Sequence, residues 1–178
     1  MMTFAGIDPG KDGALFVIHP AATPLCYSTP TIPGVKGKRF YDERKIALLV
    51  RKTIDIAEDS HSILFVVERV HAMPGQGVTS MFSMGYGLGL WIGILAALKL
   101  SYELVTPQRW KSVMLDGTKR DKGAAVARAS NLYPGVAFTT PRGRLLDGLA
   151  DAALLAEYGR RIVSVPTTLP PEPDCRPS

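Results

Sequence analysis

The stretch TFAGIDPGKDGALFVI, residues 3–18, decides how the rest of the chain is interpreted. A short apolar run ends in Asp8, passes through Pro-Gly and Asp-Gly, and returns as a second apolar run. This pattern predicts two strands, Thr3–Asp8 and Ala14–Ile18, which must be antiparallel because the connection is too short for a crossover. Leu25–Ser28 is interpreted as a third strand, completing an antiparallel meander.

Helical and extended patterns alternate after the meander. Gly34–Lys38 has the composition of a flexible basic loop, and Asp42 is placed to cap a helix over 43–58. Ile63–Val67 is a continuous apolar run, typical of a strand buried on both faces. The later predicted elements are a helix over 79–98, a strand over 102–105, helices starting at Thr106-Pro107 and at Asp121, and a helix over 145–158 closed by Gly159. This order predicts an α/β fold, a mixed sheet with antiparallel N-terminal strands and helices on both faces.

Length and composition favour one domain over residues 1–162. The chain has 178 residues, 46% of them hydrophobic, which is enough for a single core. Residues 163–178 contain five prolines and are predicted to be a flexible tail. The net charge of +5 permits a polyanionic partner without requiring one.

Several classes of protein are disfavoured by the sequence. The two cysteines have no metal-ligand spacing, so a zinc site is not expected, and their scarcity fits a reducing compartment. No signal-peptide pattern is present, and the apolar stretch Leu88–Leu98 is interpreted as a buried helix rather than a membrane span. We expect neither a membrane nor a nucleotide cofactor, and a location in the cytoplasm or nucleoid or in a phage-infected cell, with an organelle left open.

Four acids are the candidate catalytic and metal-binding residues. Asp8 and Glu68 each end a predicted strand, and Asp147 and Asp151 share a face of the last, largely apolar helix. Burying a carboxylate there is costly unless it is paired or binds a metal. Carboxylate oxygens suit Mg²⁺ or Mn²⁺, and a pair of such ions can catalyse phosphodiester hydrolysis. We therefore predict a site for two divalent ions.

Each acid also has a purely structural interpretation. Asp8 precedes Pro-Gly and is a normal turn residue, while Glu68 precedes Arg69 and is placed for a surface ion pair. Asp147 suits the positive end of a helix dipole. Asp151, which lies between alanines in mid-helix, is the hardest to explain structurally. The joint occurrence of all four acids favours the metal interpretation.

With these residues assembled, the chain resembles the RuvC-like Holliday junction resolvases. The likeness is greatest to the chloroplast-type resolvases of plants and related phage and bacterial proteins. The matching segments follow the family's order: GIDPGKDGAL, VVERVHAMPGQG, GYGLGLWIGIL, VTPQRWKSVM and DGLADAALLAEYG. The resemblance implies an RNase H-like fold, a homodimer, and paired incisions in a four-way DNA junction, with metal ligands at the four acids. The type and spacing of Asp147 differ from those in relatives, so its detailed role is the least defined.

Basic residues on both sides of the acids are candidates for phosphate contacts. They are Lys11, Lys36, Lys38, Arg39, Lys111, Lys119, Lys122, Arg142 and Arg144. Arg142 and Arg144 are favoured for the scissile phosphate because they shortly precede Asp147. In the loop 71–78, Met73 and Gln76 are candidates for contact with the junction centre or with base edges.

The glycine-rich helix over 79–98 is the candidate dimer interface. Several glycines inside one helix are unfavourable unless they allow close packing. Met81, Phe82 and Tyr86 are predicted to lie at a two-fold interface, although packing of the helix on its own sheet explains the glycines equally well. Trp91 and Trp110 are assigned to the core rather than to base stacking.

Three rival functions remain open. The first is another RNase H-like nuclease, such as an RNA–DNA hybrid or transposase-type enzyme. The second is an actin-like or sugar-kinase-like ATPase, which is disfavoured by the short chain and the lack of a second phosphate loop. The third is a binding module that has lost its active site, which is disfavoured because all four acids are present.

Overall fold

The structure is a computed structural model that describes residues 2–57, 59–71, 75–117 and 122–162, with only the backbone of Lys122. The predicted tail, residues 163–178, lies outside the described residues. So do Met73 and Lys119, together with the predicted first residue of the Asp121 helix and the last of the 43–58 helix.

A five-stranded mixed sheet forms the centre of the domain. Its strands are β1 Thr3–Ile7, β2 Ala14–Ile18, β3 Leu25–Ser28, β6 Ile63–Glu68 and β7 Ser101–Val105. They lie in the order β3-β2-β1-β6-β7. Neighbours among β1, β2 and β3 are antiparallel, whereas β1, β6 and β7 are parallel. The predicted meander and both later strands are confirmed.

Five α-helices occur in the described part of the chain, and they cover both faces of the sheet. Their bounds are α1 Glu43–Ala57, α2 Val78–Ala97, α3 Pro107–Met114, α4 Lys122–Leu132 and α5 Asp147–Ile162. Residues of α3, α4 and α5 form the core cluster on one face, and those of α1 and α2 form the cluster on the other. The predicted fold class is therefore confirmed.

The capping predictions were right for two helices and wrong for one. The Asp42 carboxylate accepts from the Lys45 amide at the start of α1, and the Thr106 hydroxyl accepts from the Arg109 amide at the start of α3. Gly159, however, does not close α5, which continues to Ile162. Gly159 is instead buried in the last turns, where an added Cβ would lie 2.7 Å from a methyl group of Val66.

Two glycines hold α5 against the sheet. A Cβ on Gly6, in the central strand, would overlap the main chain of α5 at Ala152 and Ala156. A Cβ on Gly148, in the first turn of α5, would overlap the Asp12 carbonyl oxygen. Because neither residue has a side chain, the helix backbone packs directly on β1 and on the turn that follows it. This packing places the acidic face of α5 beside Asp8.

The hydrophobic stretch Leu88–Leu98 is not the buried helix that was expected. Within α2 only Gly87, Trp91 and Leu95 are buried. The helix is also long and apolar enough by length and composition to cross a membrane, although such a helix alone is weak support for a span. The stretch is therefore partly buried: Trp91 and Leu95 belong to the core and Leu88, Leu90, Ile94 and Leu98 pack against it, whereas the opposite side of α2 is exposed.

The supposed flexible loop Gly34–Lys38 is the turn of a small hairpin. Strands β4 (Thr31–Pro33) and β5 (Arg39–Tyr41) pair in antiparallel register around it. Lys36 and Gly37 adopt positive φ angles of 56° and 72°, which allows the tight reversal. Such short strands carry too weak a periodic pattern to be recognised in the sequence.

Candidate metal centre and nucleic-acid interface

Asp8 and Glu68 are brought together by the register of two parallel strands. β1 pairs with β6 so that Ile7 lies opposite Val67. The next residue of each strand is an acid, so both carboxylates emerge at the same edge of the sheet. The carboxyl ends of parallel strands are the usual location of α/β binding sites.

Asp8 lies in a tight turn that leaves no room for side chains around its carboxylate. The Gly10 amide donates to Oδ1 at 3.0 Å. A Cβ on Gly13 would lie 2.8 Å from Cγ of Asp8, and one on Gly148 would lie 2.8 Å from Oδ2. Burial, partly offset by the Gly10 hydrogen bond and reinforced by the charge of Glu68, raises the pKa of Asp8 to about 6. The surroundings therefore disfavour the charge on this carboxylate.

Glu68 is buried, which rules out the surface ion pair that its neighbour Arg69 suggested. Its Oε1 accepts a hydrogen bond of 3.0 Å from Nε1 of Trp110. Trp110 is fully buried in the core, as predicted, and it also orients a site carboxylate. This second role depends on a tertiary contact between residues far apart in the chain, and no local sequence signal predicts it.

Asp151 faces Lys111 across the site. The two side chains approach to 3.7 Å between Nζ and Oδ2, and the Asp151 side chain is 19% exposed. Burial raises the pKa of Asp151 to about 7; Lys111 opposes this rise, and Glu68, Asp8 and Asp147 add to it. The positive charge of Lys111 is therefore not enough to keep the pKa of Asp151 at its ordinary value.

Asp147 lies in the first turn of α5 and is half-buried. Its charge contributes to the raised pKa of Asp151, so the two acids that share a helix face also interact. All four predicted acids are thus linked electrostatically at one edge of the sheet, through the interactions of Asp151 with the other three.

The donor chemistry of this cluster, but not its present side-chain arrangement, fits a divalent ion. Four carboxylates provide hard oxygen ligands, and the raised pKa values of Asp8 and Asp151 show a shortage of positive charge that a cation would relieve. Among the residues that the structure describes, no three His, Cys, Asp or Glu side chains are arranged to hold one metal ion. Binding would therefore require carboxylate rotations at Asp8, Glu68, Asp147 or Asp151.

A cavity of about 420 Å³ next to the site, which we name the aromatic groove, combines cations with aromatic rings. It is lined by Lys11, Lys38, Arg39, Phe40, Tyr41, Glu43, Thr79, Phe82, Ser83 and Tyr86. Lys11 Nζ lies 5.6 Å from the ring centroid of Tyr41, and Arg39 pairs with Asp12 at 2.9 Å. The β4–β5 hairpin is thereby tied to the turn that bears Asp8.

The other predicted DNA-binding residues are less closely grouped. Lys36, Arg142 and Arg144 are exposed, the first in the hairpin turn and the others in the segment before α5. Gln76 is half-buried, and its amide donates to Ser80 and to the sulfur of Met84. Among the described residues, the cation that pairs with an acid of the cluster is Lys111, whereas the sequence favoured Arg142 and Arg144.

The predicted interface residues lie on the exposed side of α2 to differing degrees. Phe82 is 75% exposed and Tyr86 is 45% exposed, while Met81 is half-buried. In the same helix, a Cβ added at Gly85, Gly89 or Gly93 would meet open space. The helix therefore offers an apolar face with small residues, as the dimer hypothesis requires.

The fold has clear counterparts among solved structures. No protein-family model and no curated protein matches the chain. Thermus thermophilus RuvC in complex with a Holliday junction substrate matches with a TM-score of 0.55 and 16% identity, covering 90% of this chain and 96% of that one. Thermus thermophilus RuvC in a second structure matches with a TM-score of 0.53 and 17% identity, covering 89% and 96%. The chain has the RuvC fold. At this identity the likeness concerns the fold alone, and the closer resemblance to chloroplast-type resolvases stays a prediction.

Proposed function

We propose that the chain is a Holliday junction resolvase, a metal-dependent endonuclease that makes paired symmetric incisions in four-way DNA junctions. The observation that carries the proposal is the convergence of Asp8, Glu68 and Asp151, with Asp147, on one edge of a RuvC-like sheet. A site short of positive charge would bind divalent metal ions, and the cation-lined groove beside it would bind DNA phosphates. Together they suit the metal-assisted hydrolysis of a phosphodiester.

The acids would hold Mg²⁺ or Mn²⁺, with two ions as the expected number. Such ions supply charge stabilisation for the phosphodiester and a bound water of lowered pKa. Trp110 orients Glu68, and the Gly10 amide orients Asp8, so two ligands are held by partners outside the cluster. Lys111 is placed to neutralise Asp151 and to contact a phosphate entering the site.

The DNA path follows from the distribution of cations. Lys11, Lys38 and Arg39 line the aromatic groove on one side of the acids, and Lys111 lies at the acids. Phosphate contacts of this kind position a nucleic acid without reading its sequence. We propose that one strand approaches through the groove and passes over Asp8.

The paired incisions require two copies of the site. We propose a homodimer formed through the exposed face of α2, with Gly85, Gly89 and Gly93 allowing close helix contact. Phe82 and Tyr86, which also line the aromatic groove, would lie where the groove meets the interface. Each subunit would then present one site to one of two opposed strands. The working environment would be one where branched DNA forms, such as a bacterial nucleoid or a phage-infected cell.

A comparison of substrates tests the proposal. The protein is incubated with Mg²⁺ or Mn²⁺ and a synthetic four-way junction, a linear duplex of the same sequence, or an RNA–DNA hybrid. We expect symmetric nicks in the junction alone, and none with EDTA. Preferential cutting of the hybrid would replace the proposal with an RNase H activity, and ATP turnover without cutting would favour a kinase-like function.

The dimer is tested separately by light scattering with and without junction. A mass of two copies is expected, and Phe82→Asp should reduce it to one. A strict monomer that still cuts both strands symmetrically would contradict the paired-site mechanism while leaving the nuclease activity in place.

A further inference from the structure

Tyr41 connects the β4–β5 hairpin, the turn after Asp8 and the helix α2. It ends β5, is 3% exposed, and has one ring face toward the aromatic groove, where Lys11 approaches it. Its hydroxyl lies 3.1 Å from the Pro9 carbonyl oxygen and 3.3 Å from the Ser83 carbonyl oxygen of α2. Because a hydroxyl has one proton, these two carbonyls share it.

The close approach of α2 to this hydroxyl depends on a glycine. A Cβ on Gly87 would overlap the Tyr41 hydroxyl and would lie 2.6 Å from the Pro9 carbonyl oxygen. Gly87 is buried, whereas Gly85, Gly89 and Gly93 face open space. Packing of α2 on its own chain therefore explains Gly87, and the contact it permits is with the turn after Asp8.

That turn has little freedom of its own. The Asp8 amide donates to the Ala14 carbonyl at 3.1 Å, and the Asp8 carboxylate accepts from Gly10. Pro9 lies between these two anchored points, so a displacement of its carbonyl would rotate the main chain that carries the Asp8 carboxylate. The Tyr41 hydroxyl is thus a third anchor of the turn, supplied by the hairpin.

We propose that Tyr41 is a positioning residue that couples the aromatic groove to Asp8. A DNA strand lying in the groove would contact Lys11, whose ammonium lies 5.6 Å from the centroid of the nearly buried Tyr41 ring, and the Tyr41 hydroxyl fixes Pro9 against α2. Occupation of the groove and the position of the Asp8 carboxylate are therefore linked through Lys11 and Tyr41. The inference rests on the proposed function, because it assumes that Asp8 serves a metal-dependent nuclease.

The test is removal of the hydroxyl alone by Tyr41→Phe, with Tyr27→Phe as the matched control. Tyr27 is a half-buried tyrosine packed against the same core cluster, on β3 at the sheet edge. Three quantities are measured: the junction Kd without metal, the Mn²⁺ Kd of the DNA-free protein by electron paramagnetic resonance, and the single-turnover cleavage rate against Mg²⁺ concentration.

For Tyr41→Phe we expect a junction Kd within about twofold of wild type and a weaker Mn²⁺ affinity. At limiting Mg²⁺ the cleavage rate should fall about tenfold or more, as is typical when a group that orients a metal ligand is removed. High Mg²⁺ should recover part of the rate, which a general loss of folding would not allow. Gly87→Ala, which keeps the hydroxyl but displaces it, should reproduce the defect.

The inference is overturned if Tyr41→Phe matches Tyr27→Phe in Mn²⁺ affinity and in Mg²⁺ dependence. It is also overturned if the only change is a lower melting temperature with an unaltered Mg²⁺ response, since Tyr41 would then be a core residue. A wild-type protein that neither binds Mn²⁺ nor cuts a junction would instead refute the proposed function, so the two failures are distinguishable.

Discussion

Two of the acids on α5, Asp151 and Glu157, lie toward opposite ends of the sheet and have different surroundings. Glu157 is 1% exposed and accepts hydrogen bonds from Arg160, Arg161 and the Tyr133 hydroxyl. Although burial raises its pKa, the hydrogen bonds from Arg160, Tyr133 and Arg161 lower it below the ordinary value of a glutamate. Asp151 has one lysine at 3.7 Å and three other acids nearby, and burial raises its pKa to about 7.

This difference separates a carboxylate whose charge is stabilised within the chain from one whose charge is disfavoured by its surroundings. The negative charge of Glu157 is stabilised by hydrogen bonds from Arg160, Arg161 and Tyr133, so that end of the helix needs no external ion. At Asp151 and Asp8, burial outweighs the effect of Lys111, and the pKa of each carboxyl is raised. Shifted pKa values occur in both structural networks and active sites, so the raised values make Asp151 and Asp8 candidates for cation binding, which the experiments below test.

The largest expected effect comes from exchanging the two acids for their amides. Asp151→Asn removes a proposed metal ligand, and a bound ion supplies several kcal/mol of transition-state stabilisation. Since about 1.4 kcal/mol corresponds to a tenfold change in rate, we expect at least a roughly 100-fold loss of junction cleavage with junction binding retained. Glu157→Gln, a buried acid in the same helix, is the control and should cleave normally at 25 °C. Single-turnover assays measure both, and near-normal cleavage by Asp151→Asn would remove it from the site.

The second largest effect is on stability, and here Glu157→Gln is the variant expected to change. Glu157→Gln loses a charged acceptor of several hydrogen bonds, each worth about 1.5–3 kcal/mol when buried. Arg160 and Arg161 are partly exposed and can return to water, so we expect a net loss of about 2 kcal/mol, or about 4–8 °C in Tm. Asp55→Asn, an exposed acid on α1, should leave Tm unchanged. An equal Tm for Glu157→Gln and wild type would show that the network contributes no net stability.

The fold and the positions of the four acids were predictable from the sequence because both depend on local patterns. Apolar runs that end in an acid predicted β1 and β6. The i, i+4 spacing of Asp147 and Asp151 predicted that they share one helix face. The shared edge of β1 and β6 then follows from parallel pairing. The acids themselves are predicted residues whose role the substrate and mutant assays must test.

The parts that could not be predicted depend on tertiary contacts. Nothing local distinguishes Trp110 as a hydrogen-bond donor to Glu68 from an ordinary core tryptophan. The hairpin strands β4 and β5 are too short to show a period, and the exposure of α2 depends on what covers it. The Glu157 network was also missed, although its arginines follow at i+3 and i+4, a spacing typical of helical ion pairs.

The smallest expected effect is a difference in how stability depends on pH. The raised pKa values of Asp8 and Asp151, about 6 and about 7, mean that their stabilising contribution is complete below about pH 3.8 and is lost as the pH rises through 6 and 7. Without divalent metal, the free energy of unfolding of wild type should therefore fall relative to that of Asp151→Asn between pH 5 and 8 by roughly 1–2 kcal/mol. This corresponds to a relative fall in Tm of about 3–6 °C. Mn²⁺ at pH 8 should raise the Tm of wild type more than that of the variant.

The pH dependence that Glu157 contributes has the opposite sign, because its pKa is lowered. The loss of stability in Glu157→Gln should be complete at neutral pH and should shrink as the pH falls below about 4.5. Thermal melts of the three proteins at several pH values measure both trends. If the Tm difference between wild type and Asp151→Asn did not change with pH, the acids of the site would already be compensated within the chain, and the contrast between the two ends of α5 would not hold.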